Sequence, residues 1–505
     1  MKLTLFLIIS LFSYYYTLAQ QPLIEWQKTY GGSFYDKAVS VTETHDGGYF
    51  VGGHSQSEDY HLDNNYGFFD GWVIKLDTHG ELQWKKSLGG SGEDYINSVI
   101  ETHDHKFICL GYTNSINHDI TQNFGHTDYW LIKFTNNGNI EWKKNLGGSS
   151  NDFGYSICKA DNDTYVIAGF SESNDSYVVG NHGWTDAWLL KIDGAGNVLW
   201  QKTYGGAKND HAHAITKTHD GGFLFVGYSN SEDMPGVQNK GGLDFWVVKI
   251  NKDGTLQWQK KFGGTLDEYA RAVMQCNDGS YVIAGETYSH DYDALGNHAN
   301  SQNTGNRDYL VVKIDSTGQK LWSKCYGGLK NEYARSLVQM ADGKYLVVGE
   351  SYSPDGEGEP VGNHGSADFW VVKLNPINGD IRWHKLYGGS GHDEPNCMVS
   401  TFDNGYLVVG NTASNNGDIT EWRGDDDFWI LKLKNNECQT EINLTKDIPS
   451  GNYNFSASER IIFKGKMLDN SSIIKMEANK SIILTAGFQT QPGATFEAKM
   501  GACHN

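Results

Sequence analysis

The sequence predicts an all-β protein: a seven-bladed β-propeller closed by its own N-terminal strand, followed by a small stacked-strand β domain. Three observations predict it. First, a Trp followed five residues later by Gly-Gly recurs seven times, at Trp26, Trp84, Trp142, Trp200, Trp258, Trp322 and Trp383, with spacings of 58, 58, 58, 58, 64 and 61 residues. A period of that length belongs to a propeller blade rather than to a solenoid coil. Second, each unit holds four short apolar runs separated by turn residues, the content of a four-stranded antiparallel sheet. Third, the array starts and stops out of phase. It opens on a lone Trp strand, Ile24-Glu25-Trp26, and ends after Leu431-Lys432-Leu433 with no Trp strand to follow. The first strand is therefore expected to complete the last blade, which removes two open sheet edges.

Residues 1–19 read as a secretory signal peptide. Lys2 is the charged start, Leu3 to Tyr16 the apolar core, and Thr17-Leu18-Ala19 the small-residue exit. The core is shorter than the ~20 residues a membrane span needs, and no later segment is apolar enough for one. Residues 22–435 form the propeller. Within each unit we label the strands A to D. Strand A follows an acid placed four residues after the second Gly: Asp36, Asp94, Asp152, Asp210, Glu268, Glu332 or Asp393. A turn such as His45-Asp46-Gly47-Gly48 leads to strand B, which ends in Gly. A polar loop then closes on an Asp that opens strand C, as in Asp70-Gly71-Trp72, and a Gly turn leads to the Trp strand D. Thirteen of the 15 Trp occupy the strand C or strand D position. They are blade-building residues, not a sugar-stacking platform.

Composition bounds the partners. The 505 residues carry 61 acids against 41 Lys and Arg, a formal charge of −20. Duplex nucleic acid and anionic membrane surfaces both reward fields of Lys and Arg, so neither is expected. Seven Cys are scattered without a CxxC pair. Cys438 and Cys503 bracket the C-terminal segment and are the candidate disulfide; the other five read as small buried apolar residues.

The C–D turns, Asp77-Thr78-His79-Gly80 before Trp84 and Asp193 through Gly196 before Trp200, resemble the Trp-docking repeat of quinoprotein-type propellers. The stretch Val51-Gly52-Gly53, Trp72, Trp84 resembles a kelch blade. Over residues 22–435 the unit is similar to the repeats of secreted bacterial propeller proteins. Residues 439–505 lose Trp and gain Ile, Ala, Ser and Lys. Their ending, Ala486-Gly487-Phe488 through Pro492-Gly493-Ala494-Thr495-Phe496 to Cys503, resembles the 3-coathanger stack domain. That resemblance implies a compact stacked-strand module with a terminal attachment or sorting role.

Residues repeated in every blade build blades, so a site is expected where the blades differ. Strands alternate in direction, which places the D–A turns and the B–C loops on one face, and the longest B–C loops belong to blades 5 and 6. At the first positions of strand A, near the axis of that face, Tyr95, Asn97, Tyr155, His211, His213, Tyr269, Arg271, Tyr333, Arg335 and Asn396 form the candidate ligand-binding set. Blades 5 and 6 share the tetrad Glu-Tyr-Ala-Arg at 268–271 and 332–335. Arg271 and Arg335 either clamp a carboxylate or acidic sugar, or are offset by Glu268 and Glu332 as a structural set. No nucleophile elbow, phosphate loop or HExxH occurs, and no metal or cofactor is expected. The sequence therefore points to a secreted or cell-surface, non-catalytic propeller, expected to be a monomer, that binds a protein or glycan. The alternatives are a glycan-active or quinone-dependent propeller enzyme and a purely structural surface protein.

Overall fold

A computed structural model describes residues 21–298, 306–353, 362–435, 439–444, 452–463, 473–478, 481–484 and 495–500. The leader, Cys438 and Cys503 lie outside the described residues. Seven antiparallel sheets of four strands each follow one another, and each pairs in the order A-B-C-D. Blade 1 shows the pattern: Asp36–Glu43, Tyr49–Ser55, Asp70–Leu76 and Leu82–Leu88. Strand C is buried along its whole length in blades 1, 2, 4, 5 and 6 and over most of it in blades 3 and 7, and it carries Trp72, Trp130, Trp188, Trp246, Trp370 and Trp429 at 0–1% exposure. The apolar clusters lie between blades. One of them joins Phe50 and Val73 of blade 1 to Ile96, Val99, Cys109 and Trp130 of blade 2. Of the cysteines taken as buried apolar residues, Cys109, Cys276 and Cys325 are buried, while Cys158 and Cys397 are partly so.

The ring closes as the phase of the repeat requires. Leu23–Tyr30 pairs antiparallel with strand C of blade 7, Asp427–Lys434, in a register running from Leu23 opposite Lys434 to Tyr30 opposite Phe428. Strand A of blade 1 in turn contacts strand A of blade 7, so the A strands line the axis all the way round.

Each blade junction repeats one polar arrangement. The acid that opens strand A accepts the N–H of the second Gly: Gly32 to Asp36 at 2.7 Å, Gly148 to Asp152 at 2.7 Å and Gly328 to Glu332 at 2.9 Å. It also accepts hydroxyls from the end of strand B and the loop beyond, as from Ser55 and Ser57 to Asp36. The Asp that opens strand C accepts a backbone N–H from its own loop, as Asp70 does from Tyr66 at 2.9 Å. Its other oxygen is buried with no polar partner among the described residues, in all seven blades. The first Gly of Gly-Gly lies between these two carboxylates. A Cβ on Gly147 would stand 2.1 Å from Asp128 Oδ1 and 2.7 Å from Asp152 Oδ2. Only glycine permits that approach, and its Cα–H groups are the weak donors that face the orphan oxygens.

Burial sets the charge of these acids. It pushes Asp36, Asp70, Asp128 and Glu268 up to about 7, Glu332 to about 8, and Asp152, Asp244, Asp368 and Asp427 to about 6. Two further devices recur. Strand C lysines hold the A–B turn, as Lys75 Nζ holds Asp46 at 3.0 Å and Lys249 holds Asp220 at 2.9 Å. Strand D Trp docks on the next blade: Trp84 donates to Asn136 O at 3.1 Å and its ring covers Gly138.

The residues after the ring form a different structure. Gln439–Leu444, Asn452–Phe463, Ile473–Ala478, Ser481–Leu484 and Thr495–Met500 make one sheet in which every pairing is parallel. Asn452 faces Ile473, and Ile473 faces Thr495, so the chain returns to the same position once per coil. Residues 473–478 alternate exposed and buried, with Ile474, Met476 and Ala478 inward beside Phe455 and Phe463. Phe402 of blade 7 approaches this core, its ring 6.0 Å from Phe455.

Two predictions follow from these contacts. The blades are separate four-stranded sheets, so deleting residues 22–30 uncovers one edge rather than two, that of strand C of blade 7, and also removes the Trp26 ring that packs on Gly80 of blade 1. The melting temperature of the whole propeller should drop, whereas deleting residues 439–505 should leave a cooperative propeller transition. An N-terminal deletion that melts like the intact ring contradicts the closure. Second, acids held above their unfolded values stay protonated in the folded chain while the unfolded chain has already lost those protons. Stability is therefore present at low pH and lost as pH rises toward the folded values. His54, His211 and His213, held neutral by burial, act in the opposite sense but only below about pH 6.5, and they are outnumbered. The melting temperature should fall between about pH 5 and about pH 7.5 and then level off, and Asp128→Asn should make that fall shallower.

Candidate functional site

The site is built on strand A. Among the described blades, the residue three after the opening acid sits in a β-bulge, seen as a register break between Ala38 and Ser40 in blade 1 and repeated in every A–B pair. A bulge re-aims a side chain, and here it affects Val39, Asn97, Tyr155, His213, Arg271, Arg335 and Asn396. The residue one after the acid pairs across strands with the residue following the strand B Gly: Tyr95 with Tyr112, Phe153 with Phe170, His211 with Tyr228, Tyr269 with Glu286, and Tyr333 with Glu350. Three rows of side chains thus meet at the axis, on the face shared by the D–A turns and the B–C loops. Ser33 N–H to Asp59 at 2.8 Å ties those two loop sets together.

The mouth has two unlike halves. Across blades 1 to 5 the rings touch in an unbroken series: His54–Tyr95 4.5 Å, Tyr95–Tyr112 4.8 Å, Tyr112–Phe153 4.8 Å, Phe153–Phe170 4.9 Å, Phe170–His211 3.7 Å, His211–Tyr228 4.6 Å and Tyr228–Tyr269 5.0 Å. Tyr155 and His213 pack below it, 4.5 Å apart. Burial drives His54 and His211 down to about 3 and holds His213 well below its usual value, so these histidines are neutral and this half is uncharged. His211 Nδ1 and His213 Nε2 have no hydrogen-bond partner among the described residues.

Across blades 5 to 1 the lining is ionic. Arg271 pairs with Glu286 at 2.8 Å; Arg335 pairs with Glu350 at 2.6 Å and Glu394 at 3.2 Å; Lys37 reaches Glu394 at 2.8 Å. Burial opposes the charge on Glu394, but Lys37 and Arg335 outweigh it and hold the carboxyl below its usual range. The hydrogen bond to Glu350 holds His392 above its usual value against the effect of burial. The expectation that Glu268 and Glu332 offset the two arginines is corrected here. Both are buried and bound to Gly264 and Gly328 N–H at the blade junctions. The acids on the arginines come instead from strand B, because cross-strand pairing brings Glu286 and Glu350 to the bulge.

Of the ten expected site residues, Tyr95, Tyr155, His211, His213, Tyr269, Arg271, Tyr333 and Arg335 converge on the mouth. Asn97 and Asn396 spend their amides on the next blade, donating to Gly154 O at 2.8 Å and Ala38 O at 2.9 Å. Sequence reasoning missed the strand B row, Tyr112, Phe170, Tyr228, Glu286 and Glu350. Each follows the repeated strand B Gly, and that position is visible in the repeat. It also missed Arg307, which immediately precedes Asp308. Its guanidinium carbon lies 4.4 Å from the Tyr288 ring centre and 4.8 Å from that of Tyr333. The nearest acid oxygen is Glu286 Oε1 at 3.9 Å, beyond hydrogen-bond reach. Among the described residues, Arg271 and Arg335 form close ion pairs, whereas the Arg307 guanidinium makes no side-chain hydrogen bond.

The two kinds of arginine predict different variants. Arg335→Ala leaves Glu350 and Glu394 with lost partners and should cost about 2–4 kcal/mol of stability. Arg307→Ala removes stacking on Tyr288 and Tyr333 and should cost about 1 kcal/mol or less. Denaturant unfolding of the two variants checks the order; equal losses would contradict the assignment.

No family model matches the chain. Residues of the chain are 26% identical over 180 positions to the regulatory protein FlaEY of Caulobacter vibrioides, covering 32% of this chain and 18% of that protein. They are 18% identical over 365 positions to the uncharacterized WD repeat-containing protein L264 of Acanthamoeba polyphaga mimivirus, covering 56% and 26%. The matches thus span about a fifth and a quarter of these relatives' own lengths. Among solved structures, the Neurospora crassa Pan2 WD40 domain superposes with a TM-score of 0.43 at 11% identity, covering 78% of this chain and 88% of that one. The quinohemoprotein alcohol dehydrogenase ADHIIG of Pseudomonas putida HK5 gives 0.38 at 8% identity, covering 78% and 66%. The seven-blade count itself rests on the strand pairing of this chain.

Proposed function

We propose that the protein is a non-catalytic binding scaffold, acting outside the cytoplasm, whose loop-rich mouth recognises a carboxylate-bearing group of a protein or glycan ligand. The observation that carries this reading is Arg307. Its guanidinium makes no side-chain hydrogen bond among the described residues and has only a long ion pair to Glu286 at 3.9 Å, and it is held at the rim by Tyr288 and Tyr333 in a chain whose overall charge is −20. A guanidinium in that setting favours a planar, bidentate acceptor such as a carboxylate. The neutral aromatic half supplies an uncharged wall of rings, some stacked and some edge-on, for the rest of the ligand. The same face exposes Phe34, Phe68 and Trp184 in its loops, each more than half accessible, which suits contact with a large partner. The extracellular setting is read from the leader at 1–19.

The test is a binding screen of uronic-acid and neutral oligosaccharides, together with peptides carrying free or amidated C-terminal carboxylates, against wild type and Arg307→Ala. Acidic probes should bind wild type, and the variant should lose about 2–5 kcal/mol of their binding. Equal binding of acidic and neutral probes, or equal binding by the variant, overturns the reading.

A further inference from the structure

The face opposite the mouth carries the A–B turns, and a regular latch joins them. The last residue of strand A accepts the backbone N–H of the preceding blade's turn: Phe402 to Glu43 at 2.6 Å, His219 to Gln275 at 2.7 Å, Asn277 to Gln339 at 2.9 Å, and His45 to Glu101 at 3.0 Å. A Glu or a Gln therefore serves equally as the latch. Among the described residues, only the junction of blades 1 and 2 adds two imidazoles to it. His45 Nδ1 lies 2.5 Å from Glu101 Oε1, and His105 Nδ1 lies 3.7 Å from the same oxygen. The two rings stack with centres 3.9 Å apart at 27°. The three donor atoms all fall within 4.8 Å of one another.

We propose that His45, Glu101 and His105 bind one divalent transition-metal ion, Zn2+ foremost, which staples blade 1 to blade 2. Three features beyond proximity support it. The first is the residue type at a turn position. His105 has φ +60 where four other blades carry Gly47, Gly221, Gly279 and Gly343 and the remaining two carry Asp163 and Asn404, also at positive φ. Gly, Asp and Asn serve that turn elsewhere, so the turn itself does not call for an imidazole. The second is charge. Glu101 is 7% exposed, and its ion-pair partners among the described residues are these two histidines; neither Lys nor Arg neutralises it. The third is access. His45 and His105 remain 35% and 55% exposed, so an ion can enter and a water can complete its coordination.

Donor chemistry selects the ion. Two imidazole nitrogens and one carboxylate oxygen suit Zn2+, with bonds of about 2.0–2.2 Å, and disfavour Ca2+ and Mg2+, which want oxygen alone. A tetrahedral site with such bonds separates donors by roughly 3.3 Å. The His105–Glu101 spacing is already close to that, and the hydrogen-bonded His45–Glu101 contact opens slightly as the metal replaces the shared proton. The second cluster of this type, Glu350, His392 and Glu394, differs because Arg335 and Lys37 already occupy its carboxylates.

The chain supplies its own controls. His105→Gly installs the residue that four other blades use at that turn, and Glu101→Gln installs the latch residue of blades 5 and 6. Both should fold with metal-free melting temperatures at or near that of wild type. Calorimetric titration with Zn2+ should show one ion per wild-type chain, and Zn2+ should raise the wild-type melting temperature. Both variants should lose affinity by more than about tenfold and lose the thermal shift, together with the visible absorption of Co2+ bound in its place. Arg307→Ala should keep full Zn2+ affinity, which separates this site from the mouth. Wild type taking up no stoichiometric Zn2+, or either variant binding it as tightly as wild type, overturns the proposal.

Discussion

The contact on which the ring depends is a glycine lodged between two buried carboxylates. It occurs at every blade junction, including the one closed by the N-terminal strand, where Gly31 lies between Asp427 and Asp36. One acid belongs to strand C of a blade and the other to strand A of the next. Their oxygens organise the D–A turn, the end of strand B and the start of strand C together, through backbone and hydroxyl donors. Burying an acid without a counter-cation is costly unless it stays protonated or collects donors. These junctions do both, which ties the geometry of the turn to the angle between neighbouring sheets.

Much of the architecture was legible because the repeat carries it in residue types with one structural use. Trp at two fixed positions, Gly-Gly and the following acid define blade, junction and phase, and the missing fourth strand of the last blade announces its own partner. What the sequence did not reveal follows from cross-strand pairing. Arg271 and Glu286 are 15 residues apart and Arg335 and Glu350 likewise, so reading along strand A alone suggested the near acids Glu268 and Glu332, whose side chains point into the junction. Arg307 escaped because it belongs to no repeated signature; the equivalent positions hold Phe69, Thr127, Thr185, Leu243, Ala367 and Asp426. The bulge that turns His213 and Arg335 inward leaves no mark in composition. Asn97 and Asn396 looked like ligand donors because their use, a carbonyl of the next blade, exists only in three dimensions.

The mouth shows how a near-symmetric ring acquires direction. The seven blades share one backbone, yet two rows of side chains change from rings to charges between blades 4 and 5. The transition occurs at Tyr269, which meets Tyr228 on one side and lies beneath Arg271, 5.4 Å from its ring centre, on the other. A ligand laid across such a rim is oriented as well as held, because turning it half round sets its charge against uncharged rings. The blade framework is left unaltered by this, since the varied residues lie on the inner ends of the strands while the repeated ones hold the junctions.

Closure by the N-terminal strand also has a kinetic meaning. Gln27 and Trp429, hydrogen-bonded across the seam, are 402 residues apart in the chain. No shorter segment can supply the partner of Leu23–Tyr30, so the first strand made is the last that can dock. Until strand C of blade 7 exists, both ends of a growing row of blades remain open, and the final step must close a loop that contains nearly the whole propeller. Among the described residues, every other strand pairing of the ring joins neighbours in sequence, so the seam at Leu23–Tyr30 concentrates the long-range closure of the propeller in a single strand.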